Sequence, residues 1–283
     1  MSMTRTRQAT MNVMKTTPFL IVLMLISSSA FADGWKDDAI WHDGLVEKAV
    51  YAASRVIYGK PRPYEAIFLT NKEQHDHATL TKADKSKDTI EVWKHNQIED
   101  IPTPNYTYHY VTTSHLTTNE LALTRLDCGE MEWCGTSFKQ YLDIPQISSN
   151  QISYLAFSYM PEAGRIETAV WYKRFVVATD SLPLYLRNFE FKPGNQFQFD
   201  LLPSQKSNRP TEYKVQDGAL RFAGEDGDAW KIELLISGKL AGTYWMAKNR
   251  LHVMTRYESA DGTQKYELKS VDRVNYWTIR SEK

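Results

Sequence analysis

The chain is poor in the features that announce chemistry. It has two cysteines in 283 residues, so one disulfide is the most it can form within itself. It has no net charge, with 34 Lys and Arg against 34 Asp and Glu and no sustained basic run. Nucleic-acid binding therefore lacks its electrostatic footprint, and attraction to an anionic membrane surface is not favoured. There is no P-loop, no G-x-G-x-x-G after a strand, no G-x-S-x-G and no H-E-x-x-H, and the reactions that those signatures carry lose their usual support. The apolar run "PFLIVLMLI", residues 18 to 26, is too short to span a bilayer, which takes roughly 20 residues. Tandem repeats, low-complexity tracts and linkers are absent.

That apolar run has a different use. Arg5, Arg7 and Lys15 precede it, and "SSSAFA" follows, with Ala30 and Ala32 in an A-x-A pattern. Together these read as a signal peptide over residues 1–32, cleaved before Asp33. The stretch from Met14 is already complete as a signal, so Met1 and Met14 are both candidate starts. No cysteine follows closely enough for lipid attachment. The expected product is exported, periplasmic or secreted, with 31 basic and 34 acidic residues and no transmembrane anchor.

The exported part, residues 33–283, is rich in 16 Tyr, 9 Phe and 8 Trp, residues that suit half-buried pleated surfaces. "FQFDL" (197–201), "WKIELLI" (230–236), "LHVMTRY" (251–257) and "QKYELK" (264–269) alternate with period two, the mark of strands with one buried face. Asp217-Gly218, Asp226-Gly227 and Asp261-Gly262 are read as turns between them. Strands are also expected at 66–70, 105–111, 121–126 and 152–160. Residues 45–54 fit a helix or a strand, with a strand preferred because "RVIY" follows. "KPRP" (60–63) reads as a turn, and 71–88 and 203–212 as exposed polar connections. The fold class is mainly β: antiparallel curved sheets forming a sandwich or half-barrel with few helices. One β-rich domain in two parts, about 33–160 and 161–283, is the expected layout.

Few residues suggest a site. Cys128 and Cys134, with five residues between them in an exported chain, suit a disulfide. The arms "LALTRLDC" and "CGTSFKQY", with Gly129 helping the turn, could bring them opposite. Two unpaired core thiols remain an alternative, and so does a reactive Cys134 with His115 or Glu132 as its base. His75 and His77 would share a face of a strand and could begin a metal site, with Asp76, Asp84 or His95 as a third ligand. A solvated loop is the plainer reading, and no cofactor is expected. Tyr106, Tyr108 and Tyr110 form a stripe that could line a ligand groove or pack in a core. "EDGD" (225–228) reads as a turn.

From "LDCGEMEWCGTSFKQY" outward, the chain resembles a family of uncharacterised secreted or lipid-anchored bacterial proteins, some labelled "septum formation inhibitor Maf". The resemblance takes in "DGLVEKAVYAASRVIYGKPRPYEAIFLTNKE", "EVWKHNQIEDIPTPNYTYHYVTTSH" and "DSLPLYLRN". In that pattern the W-C-G element is steadier than the first cysteine. The label itself implies a cytosolic nucleotide pyrophosphatase with a Ser-x-Arg-Arg-type motif near its N-terminus, which this chain lacks. The C-terminal half, ending "YESADGTQKYELKSVDRVNYW", is similar to periplasmic domains of lipoprotein-carrier type. That likeness implies a curved antiparallel sheet open on one side. The expected function is a non-enzymatic envelope protein that binds an apolar ligand such as a lipid, or an envelope protein, on a curved sheet. The alternatives are a thiol-dependent hydrolase or transferase using Cys134, and a purely structural envelope component.

Overall fold

The computed structural model describes residues 34–143, 150–161, 164–209, 212–275 and 277. The expected signal peptide, with Ala30, Ala32 and Asp33, lies outside the described residues. Period-two alternation becomes fifteen strands in one sheet. The first eight are β1 (Val46–Ile57), β2 (Lys60–Asp76), β3 (Thr89–Pro102), β4 (Thr107–Thr117), β5 (Leu123–Glu132), β6 (Gly135–Leu142), β7 (Gln151–Ser158) and β8 (Arg165–Trp171). The other seven are β9 (Val176–Ala178), β10 (Gln196–Leu202), β11 (Gln216–Asp226), β12 (Ala229–Ile236), β13 (Lys239–Ala247), β14 (Met254–Ser259) and β15 (Gln264–Val274). Neighbours run antiparallel except β9 and β10, which are parallel. The strand order is β8 to β1, then β15 to β9, so β1 joins β15 at the centre.

This order forces the sheet to curl. Its two edge strands, β8 and β9, are consecutive in the chain and joined only by residues 172–175. Laid flat, fifteen strands at about 4.8 Å spacing would place the edges nearly ~70 Å apart. The step from Trp171 to Val176 reaches at most about 18 Å. The sheet therefore rolls toward a barrel, and one curved sheet does the work expected of a sandwich or half-barrel.

Several local expectations need correction. Residues 60–63 begin β2; the turn is Tyr58-Gly59, both with positive φ (53° and 70°), as a tight two-residue hairpin turn requires. Residues 71–76 continue β2, so the polar connection is shorter than expected. Asp217-Gly218 is no turn but lies inside β11. A Cβ on Gly218 would stand 2.8 Å from the Phe199 ring, so this glycine makes room for a packed aromatic side chain. Asp226-Gly227 and Asp261-Gly262 do turn the chain, with Gly227 and Gly262 at φ 55° and 70°.

The rolled sheet is filled by its own chain. Residues 176–189 are buried throughout except Thr179. They run from β9 through a 3-10 turn into α1 (Leu182–Tyr185), and Leu182, Leu184, Tyr185, Leu186 and Phe189 join the main core. One end is closed by Trp35, Trp41 and Trp93, with Trp93 4.8 Å by ring centroid from each of the other two. There Arg187 forks onto buried Glu47 at 2.5 and 3.1 Å, 5.8 Å from the Trp35 and Trp41 rings.

The inner face of the first half is polar where an apolar one is the rule. His95, Gln97 and Glu99 of β3 face inward and are buried beside Thr112 and Ser114 of β4. Cys128 and Glu130 of β5 and Lys139 of β6 continue the layer. Residues 203–209, expected as an exposed connection, turn into this layer as a strap. Lys206 is 6% exposed; its ammonium pairs with Glu99 and reaches Gln97 Oε1 at 2.5 Å. Tyr64 and Tyr266 hydroxyls donate to the same Glu99 carboxylate at 2.7 and 2.9 Å. Asp180 accepts the Gln205 amide at 3.0 Å and the Ser204 hydroxyl at 2.7 Å. Lys139 and Cys128 donate to the Gln205 carbonyl at 2.7 and 3.3 Å.

Burial opposes both charges of the Lys206–Glu99 pair, but their attraction prevails. The Lys206 pKa is raised and that of Glu99 lowered. Lys206→Met should therefore destabilise by about 3–5 kcal/mol, because it strands a buried carboxylate. Adding Glu99→Gln, which keeps an acceptor for the tyrosines, should recover much of the loss; urea unfolding of the four proteins measures the coupling. His95 behaves oppositely. Burial first, then the Arg187 and Lys206 charges, bring its pKa from 6.5 to about 3. The unfolded chain takes up that proton below pH 6.5 and the folded chain only near 3, so stability falls as pH drops through this window. His95→Asn should reduce that slope without abolishing it, since burial also lowers the His252 pKa; urea midpoints from pH 7 to 4.5 test it.

Candidate functional site

In an up-and-down sheet, alternate hairpin turns fall at the same end. The β1–β2, β3–β4, β5–β6 and β7–β8 turns all open opposite the tryptophan-closed end. Between them and the strap is a pocket of about 520 Å³, within the usual range for a small-molecule site. Tyr58, Tyr106, Tyr108, Tyr110 and Tyr159 line it, with Arg55, Glu132, Cys134, Asn208 and Arg209 among them.

Strand register sets this arrangement. Tyr108 and Tyr110 lie inward on β4 opposite Ile101 and Glu99. Their rings stack at 6.2 Å, and the Arg55 guanidinium stands 5.4 Å from the Tyr110 ring. Tyr106 precedes the strand and stacks at 5.9 Å on Trp133, which is 82% exposed. The left-handed Tyr58-Gly59 turn swings Tyr58 over the mouth, where its hydroxyl meets that of Tyr108 at 2.5 Å. The strap forms the floor: Arg55 donates to the Lys206 carbonyl at 2.7 Å, and Ser158 donates to that of Asn208 at 2.7 Å. Asn208 also donates to Glu132 at 3.3 Å.

Two groups in and beside this site have unmatched capacity. Arg55 Nη1 and Glu132 Oε2 are buried without hydrogen-bond partners, a state that is costly unless something else meets them. The Tyr106, Tyr108 and Tyr110 phenols stay protonated at neutral pH. The hydrogen bond to Tyr108 raises the Tyr106 pKa, and burial raises that of Tyr108. The wall thus offers ring faces, hydroxyls, two guanidinium groups and the Glu132 carboxyl group. Aliphatic surface is confined to Val56, Ile57 and Met160.

The sequence candidates separate accordingly. Tyr106, Tyr108, Tyr110, Glu132 and Cys134 meet in this pocket. His115 does not. It lies on the outer face of β4, where Glu73 and His75 meet it near the closed end. The Cys134–His115 pair is therefore not assembled, and the Cys134 thiol instead lies 3.7 Å from the Tyr106 hydroxyl. His77 and Asp84 are exposed, Asp76 accepts the Thr79 amide in the turn at 2.8 Å, and His95 faces the interior. The imidazole that neighbours His75 is therefore His115, not His77.

The expected disulfide is also corrected. Both cysteines are free, Cys128 buried and Cys134 exposed. The turn is Trp133-Cys134, with Glu132 opposite Gly135, so Cys128 faces Lys139. Gly129 lies mid-strand. Four residues of strand, Gly129 to Glu132, and the turn residue Trp133 lie between the two cysteines, which puts them beyond disulfide range. Arg55, Tyr58 and Arg209 were missed because a turn tyrosine and isolated arginines carry no spacing signal. Burial raises the Cys128 pKa to about 11. In folded protein, iodoacetamide should label Cys134 alone, and denaturant should expose the second thiol; intact mass counts the adducts. A protein two mass units lighter that takes no label until reduced would restore the disulfide.

No protein-family description matches the chain, and no curated protein matches it. Among solved structures it is similar to a crystal structure from Brucella abortus, a beta-barrel-like protein of domain of unknown function DUF1849. The two are 8% identical over 82% of this chain and 98% of that one, with a TM-score of 0.48.

Proposed function

We propose that this is an exported, non-enzymatic binding protein of the bacterial envelope, and that its tyrosine-lined mouth takes an anionic, ring-bearing ligand such as an acidic sugar. Export is supported by the charged, apolar and A-x-A pattern of residues 1–32. Among the described residues no helix is long and apolar enough to cross a membrane.

The observation that carries the ligand class is the division of the interior. Among the described residues, 176–189 and the buried Gln205 and Lys206 of the strap fill the inside of the sheet, and the mouth stays open. Its rings and hydroxyls suit the two faces and the rim of a sugar. Arg55 and Arg209 suit a carboxylate. An acyl chain would meet few aliphatic walls there, so the apolar-ligand reading gives way to a polar-faced one.

A second reading keeps Cys134 as a nucleophile, because Glu132 lines the same pocket. The two readings part on one variant: Cys134→Ser should bind as the parent does. Soluble acidic fragments of bacterial cell-wall glycan should quench the fluorescence of exposed Trp133 saturably. Tyr106→Ala and Arg209→Ala should each weaken that binding by about tenfold or more, as expected on losing a stacking face or a charge-assisted contact. No saturable change with the parent protein, together with uptake of an apolar dye by folded protein, would return the lipid reading.

A further inference from the structure

On the outer face at the closed end, three side chains from two strands converge on one point. Glu73 and His75 come from β2, and His115 comes from β4, with β3 between them. Glu73 Oε1 stands 2.9 Å from His75 Nε2 and 3.3 Å from His115 Nε2. The three donor atoms lie within 4.8 Å of one another. A tetrahedral zinc ion with bonds of about 2.0–2.1 Å holds its ligands about 3.3–3.4 Å apart, so the group needs only small adjustments to close on a cation.

The surroundings are those of a built site. Both histidines are more than nine-tenths buried, at 2% and 6% exposure. Their Nδ1 atoms are buried with no hydrogen-bond partner. Each ring thus spends its polar capacity on the shared carboxylate oxygen. The rings are 4.3 Å apart, which holds the two Nε2 atoms near one focus. Lys94 Nζ takes the other Glu73 oxygen at 3.3 Å. It fixes the carboxylate and leaves Oε1 free for the focus, the kind of outer support that metal-binding carboxylates receive. The turn after β2 closes over this region, where Leu80 is buried and its carbonyl accepts from Arg125 at 3.2 Å.

We propose that Glu73, His75 and His115 form a binding site for a divalent transition metal, Zn²⁺ foremost. Two imidazoles and a carboxylate suit zinc better than calcium or magnesium, which prefer oxygen-only shells. Three protein ligands leave a fourth position for water or an incoming group. Since β2 and β4 are not direct neighbours, the ion clips the sheet across β3 and stabilises the folded state by linkage. This site lies at the opposite end from the tyrosine pocket and is independent of the role given to that pocket.

The test uses tag-free exported protein stripped with a chelator. Titration with Zn²⁺ against a chromophoric competitor should show one equivalent bound. Free zinc at about 100 times Kd should raise Tm by about 5–10 °C. Cobalt should give the visible bands of a four-coordinate site. His115→Gln and His75→Gln should each weaken binding by at least about a hundredfold and remove the cobalt bands, while exposed His77→Gln leaves both unchanged. Melts without metal establish that each variant is folded, and the cobalt spectrum of the parent stands whatever they show. No stoichiometric zinc on the parent, or equal binding by parent and His115→Gln, would overturn the proposal.

Discussion

Burial of a polar inner face is the constraint on which the rest of this structure depends. From β3 to β6 the inward positions carry His95, Gln97, Glu99, Thr112, Ser114, Cys128, Glu130 and Lys139. Such groups cannot be covered by apolar side chains without leaving donors and acceptors unmatched. The cover is therefore polar as well. Residues 203–209 bring Lys206 to Glu99, the Gln205 carbonyl to Lys139 and the Gln205 amide to Asp180. A buried ion pair adds little net stability when compared with apolar packing. Its importance here is geometric: only one placement of the strap satisfies Glu99, Gln97 and Asp180 together.

The strap also links folding to the site. Its inward half anchors in the core, and its outward half, Ser207 to Arg209, forms the floor of the mouth. Arg55 connects the two halves by donating to the Lys206 carbonyl while standing near the Tyr110 ring. The opposite end is closed by three tryptophans and the Arg187–Glu47 pair. Access is thus asymmetric along the barrel axis: a tryptophan-closed end, a charged middle layer and a tyrosine-rich opening.

How much of this was legible in the sequence depended on the kind of signal. Alternation at Phe197, Phe199 and Leu201, and at Trp230, Ile232, Leu234 and Ile236, reported strands whose apolar faces do enter the core. The inner face of β3 could not be read this way, because "WKHNQIED" mixes polar residues on both faces. "PSQKSNRPTE" has the composition of a solvated loop, and only tertiary pairing buries Lys206. The stripe of Tyr106, Tyr108 and Tyr110 was visible as one face, but its companions come from three other hairpins. The cysteines misled because their spacing was read without the turn: placing it at Trp133-Cys134 puts Cys128 opposite Lys139. His75 and His115 are forty residues apart in sequence and meet only because β2, β3 and β4 are paired in register.

The most direct test is amide hydrogen exchange on the folded protein, resolved to the strap. Residues 203–209 have the sequence of a loop and, on this account, the energetics of a core element. The amides of its buried residues Gln205 and Lys206 should exchange on the timescale of β3 and of residues 176–189, and Gln205, whose N–H is held by Asp180, should be among the slowest. Exchange as fast as that of the exposed turn at residues 77–88 would contradict it. The strap would then not be the group that satisfies Glu99, and the filled interior would give way to an open one.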